Sequence, residues 1–237
     1  MNVVLLRVGI DKGCGGMNGP LFRDGSFEFI PIPDDSGVDK RTYGNTFGRR
    51  GRKLVEYFPK SRQLNMQNQA MHVDPEFATF TYGDPTSLKA GLRRLERGDI
   101  LAFYAGLRRW DFDSSDALYL IGYFEVVIAG KAMEFRTHEL KRLFRANFHV
   151  RHRSVFQRDK ADLVLVKGSP NSRLLERAVL ISSVGRDCRG RPLHVLSPKM
   201  RKIFGDFGGK ISIQRSPPRW VEARYIEHAS EFVRSQN

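Results

Sequence analysis

The sequence lacks the features that define membrane-spanning and disulfide-stapled proteins. Cysteine is scarce, since Cys14 and Cys188 are the two among 237 residues, too few for a disulfide framework or a zinc knuckle. No apolar run approaches the ~20 residues that a bilayer-spanning helix needs. The first residues also lack the basic region and small-residue cleavage site of a signal peptide. These absences predict a cytoplasmic protein without a membrane partner.

Complete phosphate-binding motifs are missing as well. The Gly-rich stretch 9–25 follows a strand-like run, but its spacing matches neither GxxxxGK[ST] nor GxGxxG. Its backbone N–H groups could still bind a phosphate, or the glycines could serve only the turns of a loop. Asp11 stands where the first predicted strand ends, a common place for a catalytic carboxylate. The candidate phosphate-loop residues are Lys12, Gly13, Gly15 and Gly16.

Positive charge, in contrast, is abundant and clustered. The chain has 40 Lys and Arg against 26 Asp and Glu, for a formal net charge of +14. Such an excess predicts attraction to a polyanion, with nucleic acid as the leading candidate. One cluster covers residues 40–62, with aromatic residues interleaved, and a second covers 136–160. Cations for phosphates and ring faces for stacking are what a single strand or an extruded base requires. The contacts predicted from the second cluster are Arg142, Arg145, Arg151 and Arg153.

Lysine and arginine are absent from residues 63–88, and this stretch contains HVDPEFATFTYGDP at 72–85. A patch free of cations lets carboxylates keep ordinary or raised pKa values, as a general base requires. We therefore treat His72, Asp74 and Asp84, together with Asp11, as candidate catalytic residues that form an acid–base or metal-binding group. The alternative is scaffold, because Asp-Pro is a common turn and FATFTY is typical of a core strand.

The apolar patterns predict an α+β fold. Amphipathic spacing and capping residues predict helices at 86–98, 137–148 and 197–205. Strands are predicted at 3–10, 99–106, 117–130, 163–168, 178–182, 193–197 and 210–216. Since no repeat or convincing linker divides the chain, we expect a single domain over 1–237. Many short strands favour a strongly bent mixed sheet, or a small β-barrel, flanked by short helices.

The segments RGDILAFYAG and ALYLIGYFEV resemble the central strands of PUA, ASCH and EVE domains, which are small barrels that hold modified bases in a pocket. This resemblance covers approximately 86–130, completed by the C-terminal strands. It implies a base pocket in which Tyr104 and Trp110 stack and Asp84 or Asp99 reads a base edge. The other contacts expected around that pocket are Arg108, Arg109, Arg173, Gln214, Arg215, Arg219 and Trp220.

Five segments in order resemble a bacterial and phage family, the nucleotide-modification-associated domain of the third type. These segments are GIDKGCGG, HVDPEFATFTYGDP, GDILAFYAGL, KGSPNSRLLERA and QRSPPRW. The resemblance spans nearly the whole chain. It implies a role near DNA base hypermodification or its restriction, and it favours DNA over RNA and a bacterial or phage origin. It transfers no catalytic role to any residue.

Two functions follow from these patterns. The first is a nucleic-acid-binding protein that recognises a base, modified or not, in a PUA-like pocket. The alternative is a base- or nucleotide-modifying enzyme that uses Asp11, His72, Asp74 and Asp84. His149 and His152 lie among arginines with no nearby carboxylate in the second basic cluster, so we predict no metal at these two histidines and no cofactor. The sequence leaves the oligomeric state open.

Overall fold

The computed structural model describes residues 1–111, 115–214 and 217–236. The strands are β1 (Val3–Arg7), β2 (Gly19–Leu21), β3 (Ile32–Pro33), β4 (Met71–His72), β5 (Thr81–Asp84), β6 (Ile100–Arg109), β7 (Ala117–Lys131), β8 (Val164–Gly168), β9 (Arg173–Leu180), β10 (Ser182–Arg186), β11 (Pro192–Leu196) and β12 (Arg219–Trp220). The helices are α1 (Lys60–Met66), α2 (Thr137–Leu143), α3 (Phe148–Arg151), α4 (Arg153–Asp159), α5 (Pro198–Phe204) and α6 (Ile226–Arg234). Short 3₁₀ helices cover Leu54–Tyr57, Ser87–Arg94, Ala132–Glu134 and Ala223–Tyr225.

A mixed sheet organises the described part of the chain. Its strands follow the order β12-β1-β6-β7-β8-β5, with β2 beside β6 and β9 beside β7. β1 runs parallel to β6, whereas β7 is antiparallel to β6, β8 and β9. β7 pairs with β6 and β9 through its first half and with β8 through its second half, with register shifts along the way. The long strand therefore joins two parts of the sheet, and this order leaves the sheet open.

The core forms where β6 and β7 cross the centre of the sheet. Both strands are apolar runs, and the first eight residues of β6 are buried. Phe77, Phe103 and Phe124 meet edge-to-face, with ring centroids 4.6–5.6 Å apart. Such contacts add about 0.5–1.5 kcal/mol per pair to the burial of the rings. A second apolar cluster, around Tyr43, lies under the loop region between β2 and β4.

The prediction of a mixed α/β fold with short helices is confirmed. Several segments match closely: the strands predicted at 99–106 and 117–130 correspond to β6 and β7. The helix predicted at 197–205 corresponds to α5, where Ser197 caps the start by accepting a hydrogen bond from the backbone N–H of Met200. The PUA-like barrel, the second alternative, is not confirmed, because the described strands form an open sheet. The assignment of 1–237 to one domain, with a core at 86–130, stays a prediction.

Two predicted helices differ from the structure. Within the segment 86–98, Ser87–Arg94 form a 3₁₀ helix rather than an α-helix, and Leu88 is exposed while Leu92 and Leu95 are buried. With three residues per turn, Leu88 and Leu92 are four residues apart and lie on different sides of the helix, which explains why Leu88 leaves the core. The helix predicted at 137–148 ends at Leu143, and Asn147 caps a new helix by accepting from the N–H of His149.

The prediction of a strand at 210–216 is wrong for residues 210–214, the part of this segment that the structure describes. Residues 210–214 form no strand, and Ser212 makes an isolated bridge to Val195. The apolar alternation of KISIQ is real, since Ile213 is fully buried, but it packs as an irregular segment. Among the described residues, no helix combines the length and apolarity required to cross a bilayer.

Candidate active site

A cavity of about 410 Å³ opens beside the ends of β1, β4 and β5. We call it the acidic cavity. Its walls include Asp11 from the loop after β1, His72 from β4, Asp74 just beyond, and Asp84 at the end of β5. The other lining residues are Arg7, Val8, Gly9, Cys14, Ile32, Tyr82, Gly83, Lys89 and Gln214. The four residues singled out as candidate catalytic groups thus share one concave site, although Asp11 and Asp84 are distant along the chain.

The cations that enter the acidic cavity are paired with carboxylates. Arg7 Nη2 lies 2.9 Å from Asp11 Oδ2, and Lys89 Nζ lies 2.8 Å from Asp84 Oδ2. Burial would raise the pKa of Asp84, but the ion pair with Lys89 and the hydrogen bonds from Thr86 together outweigh burial and lower that pKa below the usual value. Asp84 is therefore an anion at neutral pH, and the ion pair with Lys89 fixes the orientation of its carboxylate. Tyr82 donates its hydroxyl to the same carboxylate at 3.0 Å.

The Gly-rich loop uses its own amide groups. Asp11 Oδ1 accepts from the N–H of Gly13 at 2.7 Å and from that of Cys14 at 2.8 Å. The N–H of Gly16 donates to the carbonyl of Asp11 at 2.9 Å. In this conformation the N–H groups of Gly13 and Gly16 have internal acceptors, which argues against a phosphate at these two donors, and the phosphate loop stays a prediction. The glycines serve the turn instead, since Gly15 and Gly16 both have positive φ, at 90° and 76°.

One wall of the acidic cavity continues into a buried histidine–carboxylate cluster. Asp74 Oδ2 lies 4.0 Å from His72 Nε2 and 3.9 Å from His149 Nε2. The backbone N–H of Gly83 and the side-chain amide of Asn147 donate to the same oxygen, at 2.8 Å and 3.3 Å. Burial lowers the pKa of His72 to about 3 and raises the pKa of Asp74 well above its ordinary value. His72 is therefore neutral at physiological pH.

His149 was not among the predicted site residues. It comes from α3, which packs against β5, and its Nδ1 lies 2.8 Å from Asp159 Oδ2. In the sequence, His149 lies among arginines with no carboxylate beside it. The two carboxylates that it contacts belong to Asp74, which is distant in sequence, and to Asp159 at the end of α4. Tertiary packing alone brings them together.

A second hollow, of about 490 Å³, lies on the other side of the Gly-rich loop. We call it the Trp110 groove. Its lining includes Arg108, Arg109, Trp110 and Lys12, together with Lys60. Trp110 is 44% exposed, and its ring meets Tyr57 edge-on at 5.3 Å. Lys12 is paired with Asp116. Asp11 lines the acidic cavity and Lys12 lines the groove, so a single loop borders both.

Two groups predicted to touch a base are buried in the fold. Tyr104 is fully buried and donates its hydroxyl to the carbonyl of Ile213 at 2.9 Å, so its ring has no face for stacking. Asp99 is buried and accepts from the backbone N–H groups of Asn2 and Glu96. It caps the chain at the start of β6. The burial of both residues argues against a contact with a base, and their role in base recognition stays a prediction.

The predicted backbone-binding residues are scattered. Arg142 and Arg145 line a surface hollow beyond β8, and Arg153 is exposed. Arg173 lies over the ring of Tyr123 at 5.8 Å. Arg151 is held by the buried carboxylate of Asp39 at 2.9 Å.

The C-terminal candidates have internal contacts as well. Gln214 lines the acidic cavity and accepts from the N–H of His194. Arg219 donates to the carbonyl of Ser212, and Trp220 is half-buried beneath the guanidinium of Arg94 at 5.0 Å. Arg215 lies outside the described residues.

Comparison with protein families decides the relationship. A family model described as nucleotide modification associated domain 3 matches residues 2–236. The chain belongs to this family. The match confirms the resemblance read from the five ordered segments, and it covers every residue of the acidic cavity and the Trp110 groove. Nucleotide modification associated domain 3 proteins are linked by that description to nucleotide modification, which is consistent with a role in DNA modification. Comparison with curated proteins and with solved structures gave no match.

Proposed function

We propose that this protein is an enzyme that modifies a base or nucleotide in the acidic cavity, within a DNA-modification pathway. One observation carries the proposal: Asp11, His72, Asp74 and Asp84 come from three separate segments and line one cavity. A cavity of about 410 Å³ is of the size that small-molecule sites typically have, and it can take a single base or nucleotide. Family membership supports the substrate class.

The charges of the cavity suggest a division of roles. Asp84 with Lys89, and Asp11 with Arg7, form two fixed ion pairs that present both acceptors and donors to the polar edge of a base. His72 and Asp74 form the buried end of the site, where desolvation has moved both pKa values away from their ordinary positions. Perturbed pKa values in a cleft are typical of reacting groups. We assign substrate orientation to the ion pairs and chemistry to the buried end.

The Trp110 groove would bind the nucleic-acid strand that carries the target base. Arg108 and Lys60 offer charge to phosphates, and Trp110 offers a ring face. Because one loop borders groove and cavity, a strand in the groove could deliver an extruded base across Asp11. The groove also favours the second candidate function, a binding protein without turnover.

Nucleoside mass spectrometry separates these two functions. DNA would be isolated from cells that contain the wild-type protein, the variant Asp84→Asn or no protein, and digested to nucleosides. We expect a nucleoside that depends on the wild-type protein and falls at least ~100-fold with Asp84→Asn, while affinity of the purified variant for DNA stays within about twofold. The matched control is Asp162→Asn, which neutralises an exposed carboxylate away from the cavity. Equal nucleoside levels in all samples, with salt-sensitive DNA binding retained, would favour the binding protein.

A further inference from the structure

The buried end of the acidic cavity brings three ligand atoms to one point. His72, Asp74 and His149 each offer one atom, and these atoms all lie within 4.8 Å of one another. Asp74 Oδ2 stands between the two imidazoles, at 4.0 Å from His72 Nε2 and 3.9 Å from His149 Nε2. These separations exceed hydrogen-bond length, so the three side chains do not satisfy each other directly.

The polar atoms at this point are buried without partners. His72 Nε2, Asp74 Oδ1 and His149 Nε2 have no hydrogen-bond partner among the described residues. The side chains of Asp74 and His149 are 4% and 3% exposed. Asp74 Oδ2 accepts from Gly83 and Asn147, so the unsatisfied atoms that face it are the two imidazole Nε2 atoms. An unsatisfied buried polar group costs roughly 1–3 kcal/mol, and two that face one carboxylate call for a common partner.

The surroundings hold the three side chains in the orientation that a cation requires. Asp159 Oδ2 lies 2.8 Å from His149 Nδ1, and Arg158 holds the same carboxylate at 2.7 Å. With its Nδ1 proton donated to Asp159, His149 turns an unprotonated Nε2 toward Asp74. A carboxylate behind a histidine is the usual outer partner of a metal-bound imidazole. The ring of His72 is fixed against Phe148, with centroids 4.0 Å apart.

We propose that His72, Asp74 and His149 bind a divalent first-row transition ion, of the class of Zn²⁺ or Fe²⁺, at the wall of the acidic cavity. Two imidazoles and one carboxylate form a ligand set that suits these ions and leaves coordination positions for water or substrate. Bonds of about 2.1 Å place ligand atoms about 3.0–3.4 Å apart, so the pairs that now lie 3.9 and 4.0 Å apart would close by roughly 0.5–1 Å around the ion. His72 and Asp74 also line the cavity, which puts the proposed ion at its wall.

Any catalytic role of an ion at this site rests on the proposed function. An ion at this position would supply a Lewis acid or an activated water to a base held by Asp84 and Asp11. It would also explain why Asp74 and the two histidines lie so close without bonding. Metal binding itself can be measured without any substrate.

The test is metal binding by the full chain. Protein purified without chelator would be reconstituted with Zn²⁺, or with Co²⁺, whose visible absorption reports nitrogen and oxygen ligands, and bound metal would be measured by elemental mass spectrometry. We expect about one equivalent in the wild type and a rise in melting temperature with added Zn²⁺. The variants His72→Gln, Asp74→Asn and His149→Gln should each weaken binding by ~100-fold or more, and Asp159→Asn by ~10-fold.

The matched control is His152→Gln. His152 lies three residues from His149 and also packs on the Phe148 ring, but its Nε2 faces Asp39 at 3.6 Å, away from the cluster. It should bind metal like the wild type. Circular dichroism of each variant would verify folding, and the titration of the wild type stands even if a variant fails to fold.

Two results would overturn the proposal. One is uptake of less than about a tenth of an equivalent of both metals by the folded wild type. The other is equal affinity in the wild type and the three ligand variants. Either result would leave the nucleoside assay with Asp84→Asn unaffected. Normal metal binding with no change in any nucleoside would reject the proposed function and retain the metal site.

Discussion

The acidic cavity and the Trp110 groove lie on two sides of one loop, and they differ in how they use charge. In the cavity, Arg7 and Lys89 each form an ion pair with a carboxylate, and the histidine–carboxylate cluster contains buried polar atoms without hydrogen-bond partners. In the groove, exposed arginines surround an exposed tryptophan. The difference teaches that net charge does not reveal how a hollow uses its cations, because those of the cavity are paired with carboxylates and those of the groove stand beside an exposed ring. Variants in each hollow test the two uses of charge separately.

The largest effect on binding should come from Trp110. Stacking of a base on an aromatic ring is worth ~1–3 kcal/mol, so Trp110→Ala should weaken single-stranded DNA binding by about 5- to 150-fold. Fluorescence anisotropy with a labelled oligonucleotide would measure it. The matched control is Trp220→Ala, since Trp220 is half-buried beneath Arg94, and it should change affinity little. If Trp110→Ala bound as tightly as the wild type, the groove would not be the strand-binding surface.

Arg151 should act on stability and not on binding. Its side chain is 29% exposed, and its guanidinium lies 2.9 Å from the carboxylate of Asp39, whose side chain is fully buried. Arg151→Ala leaves that carboxylate with fewer partners and should lower the free energy of unfolding by ~1–3 kcal/mol. Urea denaturation would measure the change, with exposed Arg153→Ala as the control. A loss of DNA affinity without a loss of stability would return Arg151 to the binding surface.

Lys89 should have the smallest effect, a shift in pH dependence. Burial raises the pKa of Asp84, and the ion pair with Lys89 together with the hydrogen bonds from Thr86 more than offsets it, so Lys89→Met should let that pKa rise. The acidic limb of the rate–pH profile would then move to higher pH, because the anionic form is lost sooner as pH falls. The same carboxylate stabilises the wild type above its unfolded pKa, and this contribution is lost as pH falls through its folded pKa. An unmoved limb would show that Asp84 is not the group that titrates.

Much of the fold followed from local patterns. β6 and β7 are long apolar runs between turn signals, and Ser197, Pro198 and Gly205 mark both ends of α5. The prediction from leucine spacing failed where an α-helix and a 3₁₀ helix are alternatives for the same residues. At 86–98 the leucine spacing fits an α-helix, yet packing selects a 3₁₀ helix and exposes Leu88.

The site was predictable in part. Asp11, His72, Asp74 and Asp84 stood out because cations are missing around three of them and a strand ends near the fourth. His149 and Asp159 could not be joined to them, because the contacts of His149 with Asp74 and with Asp159 exist only after α3 packs against β5 and α4 packs against α3. The burial of Tyr104 could not be predicted for a related reason, because an aromatic residue in a strand does not reveal which side of the sheet is covered.

The central claim is that Asp11 and Asp84, distant in sequence, act on one substrate in one cavity. A double-mutant cycle on turnover of the modified nucleoside tests it most directly, with Asp11→Asn, Asp84→Asn and the double variant. Residues that act as a unit are strongly non-additive, so the double variant should lose little more activity than the worse single variant. Losses that multiply, or single variants with wild-type turnover, would contradict the account.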